Sequence, residues 1–96
     1  MSFLDIFRRN REDPEVARRN LLLKAGRIAD GAILDIGTDA EGDTTHVFYS
    51  YTVNGVDYES SQYLNSEQRV HLFDYSPGAR VVIRFDPHQP VNSIVV

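Results

Sequence analysis

The stretch Tyr75-Ser76-Pro77-Gly78-Ala79-Arg80-Val81-Val82-Ile83-Arg84-Phe85-Asp86-Pro87-His88-Gln89-Pro90-Val91-Asn92-Ser93 decides the fold. Pro-Gly suits a tight turn, because proline presets φ and glycine accepts φ > 0. The residues after this turn alternate, with Val81, Ile83 and Phe85 on one side and Arg80, Val82 and Arg84 on the other, the period of a half-buried strand over 79–85. Asp86-Pro87 stops that strand, and Pro90 precedes a last short strand at 93–96 with Ile94 and Val96 inward. The stretch specifies an all-β architecture and carries no catalytic, metal or phosphate-binding constellation.

Upstream of it the same period recurs. From Ile28 the chain places Ala32, Leu34 and Ile36 on one side and Ile33 and Asp35 on the other, ending in the turn-rich Gly37-Thr38-Asp39-Ala40-Glu41-Gly42-Asp43. Val47, Tyr49, Tyr51 and Val53 then alternate with His46, Phe48, Ser50 and Thr52. Asn54-Gly55 comes next, the dipeptide that best fits a type I′ hairpin, and Val56, Tyr58 and Ser60 continue the alternation, predicting a hairpin of 44–53 with 56–61. Residues 62–78 read as a loop in which Asn65-Ser66-Glu67-Gln68 can cap one helical turn carrying Val70 and Phe73.

Ahead of the strands, residues 1–25 read as an N-terminal helical arm. Ser2 and Asp5 have capping-box spacing around a short piece in which Phe3, Leu4 and Phe7 share a side. A longer helix is predicted over 14–25, with Asp13 as N-cap, Pro14 as first helical residue, Glu15 and Lys24 matching the dipole, and Gly26 as stop. Its apolar stripe, centred on Leu21, is expected to dock on the sheet. Five short antiparallel strands must protect their edges and bury one face. The predicted fold is therefore a mainly β domain over 26–96, a small, partly open five-stranded barrel with the helix packed on it.

The order Gly31-Ala32-Ile33-Leu34-Asp35, Tyr51-Thr52-Val53-Asn54-Gly55-Val56-Asp57-Tyr58, Pro77-Gly78-Ala79-Arg80-Val81-Val82-Ile83 and Phe85-Asp86-Pro87-His88-Gln89-Pro90 resembles the bacterial family catalogued as domain of unknown function 3592 over residues 26–96. The most specific parts are the Tyr/Phe-x-Val-x-Gly hairpin and the aromatic-Asp-Pro-x-x-Pro ending. The resemblance implies a small β domain, often found beside transmembrane helices, and supplies no catalytic residues. This sequence departs from that pattern in having no stretch long enough to span a bilayer, since Leu21-Leu22-Leu23 is its longest apolar run near the N-terminus.

Composition bounds the rest. A chain of 96 residues, 42% hydrophobic and 10% aromatic, is one domain with a modest core. Cysteine is absent, so no disulfide framework, thiolate site or thiol nucleophile exists. The net charge of −4 is unevenly spread: residues 1–25 hold six Lys and Arg against four acids, and residues 26–96 hold four Arg against ten acids. An acidic β body disfavours nucleic acid, which requires clustered cations. With no secretory leader pattern in residues 1–9, a cytoplasmic location is expected.

The motifs that invite chemistry fail on their own terms. Residues 37–44 have phosphate-loop spacing, yet Asp43 stands where lysine meets the phosphates, and a strand follows where a helix is required. Asp39, Glu41 and Asp43 alternate like calcium ligands, but Thr44 and Ser50 occupy the positions of the turn glycine and the bidentate glutamate. His46, His71 and His88 lack ligand spacing, and Ser60 and Ser61 lack nucleophile-elbow glycines. The aromatics Tyr49, Tyr51, Tyr58, Tyr63, Phe73, Tyr75 and Phe85 are expected in the core, with Phe48 the exception on the outer side.

No cofactor or metal is expected, and the chain reads as a non-enzymatic module that binds a protein partner or its own copy. The candidate surface is Phe48 and Val82 with Arg80 and Arg84. An alternative is a peripheral membrane domain using residues 1–12, with Phe3, Leu4, Ile6 and Phe7 at the interface and Arg8, Arg9 and Arg11 on anionic lipid. A further alternative is a small-ligand site in the barrel mouth.

Overall fold

The computed structural model describes residues 14–96. Helix α1 spans Pro14–Ala25, with Glu15 in its first turn and Lys24 in its last. Five strands follow: β1 (Arg27–Thr38), β2 (Thr44–Val53), β3 (Val56–Tyr63), β4 (Arg80–Asp86) and β5 (Gln89–Val95). A four-residue helix α2 (Ser66–Arg69) and a 3-10 turn at Leu72–Tyr75 lie between β3 and β4. The strands are all antiparallel, in the order β3-β2-β1-β4-β5, and curl into a nearly closed barrel. The extents of α1, β2 and β4 agree with the sequence to within a residue, whereas β3 runs on to Tyr63 and β5 begins at Gln89.

The β2–β3 hairpin turns on Asn54 at φ 51° and Gly55 at φ 79°, both left-handed as a type I′ turn demands. Register follows from it, with Val53 opposite Val56 and Tyr51 opposite Tyr58. Val47, Tyr49 and Tyr51 of β2 are buried together with Val81, Ile83 and Phe85 of β4, and Tyr49, Tyr51, Tyr58 and Phe85 form a run of stacked rings. Burial pushes the Tyr51 phenol above its ordinary pKa, and the neutral hydroxyl donates to the Pro90 carbonyl.

Strand β1 corrects the alternation expected from sequence. Ile33 is buried and Leu34 is exposed, yet Ile36 also packs on the core. A β-bulge reconciles them: Ile33 pairs with Tyr49 and Asp35 with Phe48, so Leu34 is the extra residue. Beyond it the inward parity changes, and Ile36 faces in beside Val47.

Strand β5 requires a second correction. Val96 is exposed, and Ser93, Ile94 and Val95 are buried in succession. Ser93 and Val95 pair with the inward residues Phe85 and Ile83, while Ile94 pairs with Arg84 on the opposite face, which α1 covers in packing against β4 and β5. The helix presents Leu22, 4% exposed, and not Leu21, 64% exposed.

Barrel closure between β3 and β5 uses side chains in place of a backbone ladder. Gln62 Nε2 donates to the Val95 carbonyl at 3.2 Å, and its Oε1 accepts from the Val95 N–H at 2.7 Å. Gln68 Nε2 reaches the same carbonyl at 3.0 Å, and Arg19 Nη1 lies 3.4 Å from it. Gln68 also completes a capping box with Asn65, so the helical turn read from sequence is present and tied to the seam. Further along β5, Arg18 Nη1 donates to Asn92 Oδ1 and to the Ser93 carbonyl, and Tyr49 Oη lies 3.1 Å from that carbonyl.

Two outcomes test this arrangement. Gln62→Ala strands the Val95 N–H and should lower stability by about 1–3 kcal/mol in urea unfolding at an unchanged m-value. Leu22→Ala should cost about 2–5 kcal/mol, while Leu21→Ala should stay within about 0.5 kcal/mol as an exposed position does.

Candidate interaction surface

The outer face of β2 carries His46, Phe48, Ser50 and Thr52, opposite Tyr63, Ser61, Glu59 and Asp57 of β3. Three rings gather at one end of this face. His46 meets Phe48 edge to face at 5.1 Å between centroids and Tyr63 at 5.1 Å with the planes tilted. Phe48 is 40% exposed and Tyr63 77%. The His46 ring lies over Gly37, where a Cβ would overlap it, so β1 supplies a bare backbone for the imidazole to rest on. Thr45 Oγ1, 3.1 Å from His46 Nδ1, fixes its orientation.

The predicted surface residues fall in separate places. Val82 is exposed on the same outer face but pairs with Asp30, whereas Phe48 pairs with Asp35. Those partners are five positions apart on β1, a distance of roughly 15 Å along the strand before the crossing from β2 to β4 is added. Phe48 and Val82 therefore form no common patch. Arg80 is exposed beside Ala32. Arg84 is committed elsewhere, its Nη1 donating to the Gly26 carbonyl at 2.9 Å where α1 joins β1. Phe3, Leu4, Ile6, Phe7, Arg8, Arg9 and Arg11 lie outside the described residues, as does the Asp13 cap.

Tyr63 and Phe73, expected in the core, are instead exposed, Phe73 at 94%. Tyr63 is outward by strict alternation once β3 is extended to reach it, a signal present in the sequence. Phe73 sits on the 3-10 turn, where Tyr75 takes the buried position.

A cleft of about 290 Å³ beside the rings is lined by Glu15, Arg18, His46, Ser61, Gln62 and Tyr63. The Arg18 guanidinium hydrogen-bonds Glu15, holding its carboxyl below the usual range and raising the pKa of Arg18 in turn. Asp39 Oδ1 accepts from the N–H groups of Glu41 and Asp43, so this carboxylate organises its own loop. Among the described residues no group of three or more His, Cys, Asp or Glu is placed to hold a metal ion. Nor is any described helix long and apolar enough to cross a membrane.

The model of a family described as a domain of unknown function, DUF3592, matches residues 26–96, the whole β body from the end of α1 onward. The chain belongs to the DUF3592 family. No curated protein and no solved structure matches it. The ring cluster of this DUF3592 domain lies within the matched region, while Glu15 and Arg18 of the adjoining cleft come from the helix that precedes it.

Gly37→Ala should displace the His46 ring from Phe48 and Tyr63. The expected readout is a loss of the ring-current shifts of the His46 protons in NMR spectra, with the β-sheet amide pattern retained.

Proposed function

We propose that this domain is a non-enzymatic interaction module that meets a protein partner, or a second copy of itself, through the His46–Phe48–Tyr63 cluster. The observation that carries this proposal is the exposure of Tyr63, 77%, against the His46 ring, which itself meets Phe48, on the solvent face of a sheet. Aromatic groups are enriched at interface centres because they remove a large rigid area from water at little conformational cost. Ser61 and Glu59 beside them, and Asp35 across β1, provide the polar rim that such a centre requires. The acidic β body favours a partner carrying positive charge over nucleic acid.

Phe48→Ser and Tyr63→Ser should each weaken association, measured by sedimentation for self-association or by co-purification from the native cell for another partner. An anchor of this kind is worth about 2 kcal/mol, roughly thirtyfold in Kd. Val82→Ser, on the separate patch, should leave association unchanged. Equal behaviour of all three variants would remove the cluster from consideration.

A further inference from the structure

A second apolar surface lies at the barrel end where β1 turns into β2. Ile36 and Thr44 on the sheet face Leu72, Phe73, Tyr75 and Pro77 across a cleft of about 260 Å³. A cavity of roughly 150 Å³ suffices for a benzene ring in other proteins, so the cleft has room for a phenyl group and more. Its outer wall is left in water: Phe73 is 94% exposed and Leu72 41%.

The surroundings are strongly acidic. The exposed loop carrying Asp39, Glu41 and Asp43 runs directly into Thr44, and from Ile36 to Pro77 the chain holds seven acids against one arginine, Arg69. An occupant suited to this place brings large apolar side chains and, immediately beside them, several cations.

The chain contains such a segment. Phe3-Leu4-Asp5-Ile6-Phe7-Arg8-Arg9-Asn10-Arg11 places four apolar residues ahead of three arginines within nine positions, and it lies outside the described residues. Its attachment point is close to the cleft. Glu15, in the first turn of α1, lines the same hollow as His46, and Thr44 is two residues from His46 along β2, about 7 Å. Phe7 lies seven positions before Pro14, a reach of at most about 25 Å, enough to seat Phe7 in the cleft of the same molecule.

We propose that residues 3–11 occupy this cleft in cis, with Phe3, Leu4 and Phe7 against Leu72 and Phe73, and Arg8, Arg9 and Arg11 facing the Asp39–Asp43 loop. This surface is separate from the ring cluster at Phe48, so either assignment can fail without the other.

The absence of native cysteine makes the test direct. Ile6→Cys combined with Ser76→Cys, oxidised mildly in the full chain, should give an intramolecular disulfide in the monomer. Replacing Arg8, Arg9 and Arg11 by serine in that background should slow its formation several-fold. Amide exchange supplies a second measurement in a variant whose barrel is untouched: with Phe3, Leu4 and Phe7 all changed to serine, residues 72–78 should exchange several-fold faster while the β2 and β4 amides keep their protection. Absence of the disulfide, its appearance only between two chains, or unchanged exchange at 72–78 would each overturn the proposal. So would binding of the full chain to phosphatidylserine vesicles that is lost in the triple-serine variant while exchange at 72–78 stays the same in both.

Discussion

The amide of Gln62, spread across both backbone groups of Val95, is the interaction on which this small barrel depends. A five-stranded sheet that curls without closing leaves two edges, each a row of unpaired donors and acceptors open to association. Here the edges are β3 and β5, and Pro90 suits the latter to an edge position. Its inward-turned edge is satisfied by side chains from almost every other part of the chain: Arg18 and Arg19 from α1, Tyr49 and Tyr51 from β2, Gln62 from β3 and Gln68 from α2. The helix is held against the barrel by the same strand that needs covering. The capping box ties the irregular segment after β3 to the seam through Gln68. A buried polar group costs much when it is left without a partner, so these contacts hold the five segments in one arrangement.

This seam explains what could be read in the sequence and what could not. The Asn54-Gly55 hairpin, the Val81-Ile83-Phe85 row and the Pro14–Ala25 helix were legible because their physics is local: turn stereochemistry, period-two burial, and capping with a locked φ. Gln62 and Gln68 were not, because their partner lies 33 and 27 residues away and a side-chain-to-backbone bond leaves no periodic trace. The one available hint was polarity at inward positions: Ser60 and Gln62 continue the inward row of Val56 and Tyr58 where a simple core would place apolar residues. Leu34 misled because a bulge changes parity in mid-strand without changing composition. Val96 and Leu21 misled for a related reason, since β5 is buried on both faces near Ile94 and a run such as Leu21-Leu22-Leu23 does not announce which member faces the sheet. Within the candidate surface Phe48 was legible as an outward aromatic, but its partner ring Tyr63 was hidden by placing the end of β3 two residues early.

The arrangement of the surfaces reflects how the seam uses polar groups. Arg84 is bound to the Gly26 carbonyl, Arg18 to Glu15 and β5, and both glutamines to Val95, so the ends of the barrel near α1 are occupied by internal contacts. The groups left outward around the β1–β2 turn are largely apolar or acidic: the His46–Phe48–Tyr63 rings, the 70–73 segment and the Asp39–Asp43 loop. The bulge at Leu34 shapes the inner side of the cleft beside Phe73. By changing the parity of β1 it turns Ile36 inward next to Val47, and Tyr75 fills the space beside it from the 3-10 turn. Phe73 itself stays in water at the rim of the cleft that Ile36 and Tyr75 line. A cleft with room for a further phenyl group, set beside an acidic loop, is why an apolar segment with trailing arginines is the fitting complement to this end of the barrel.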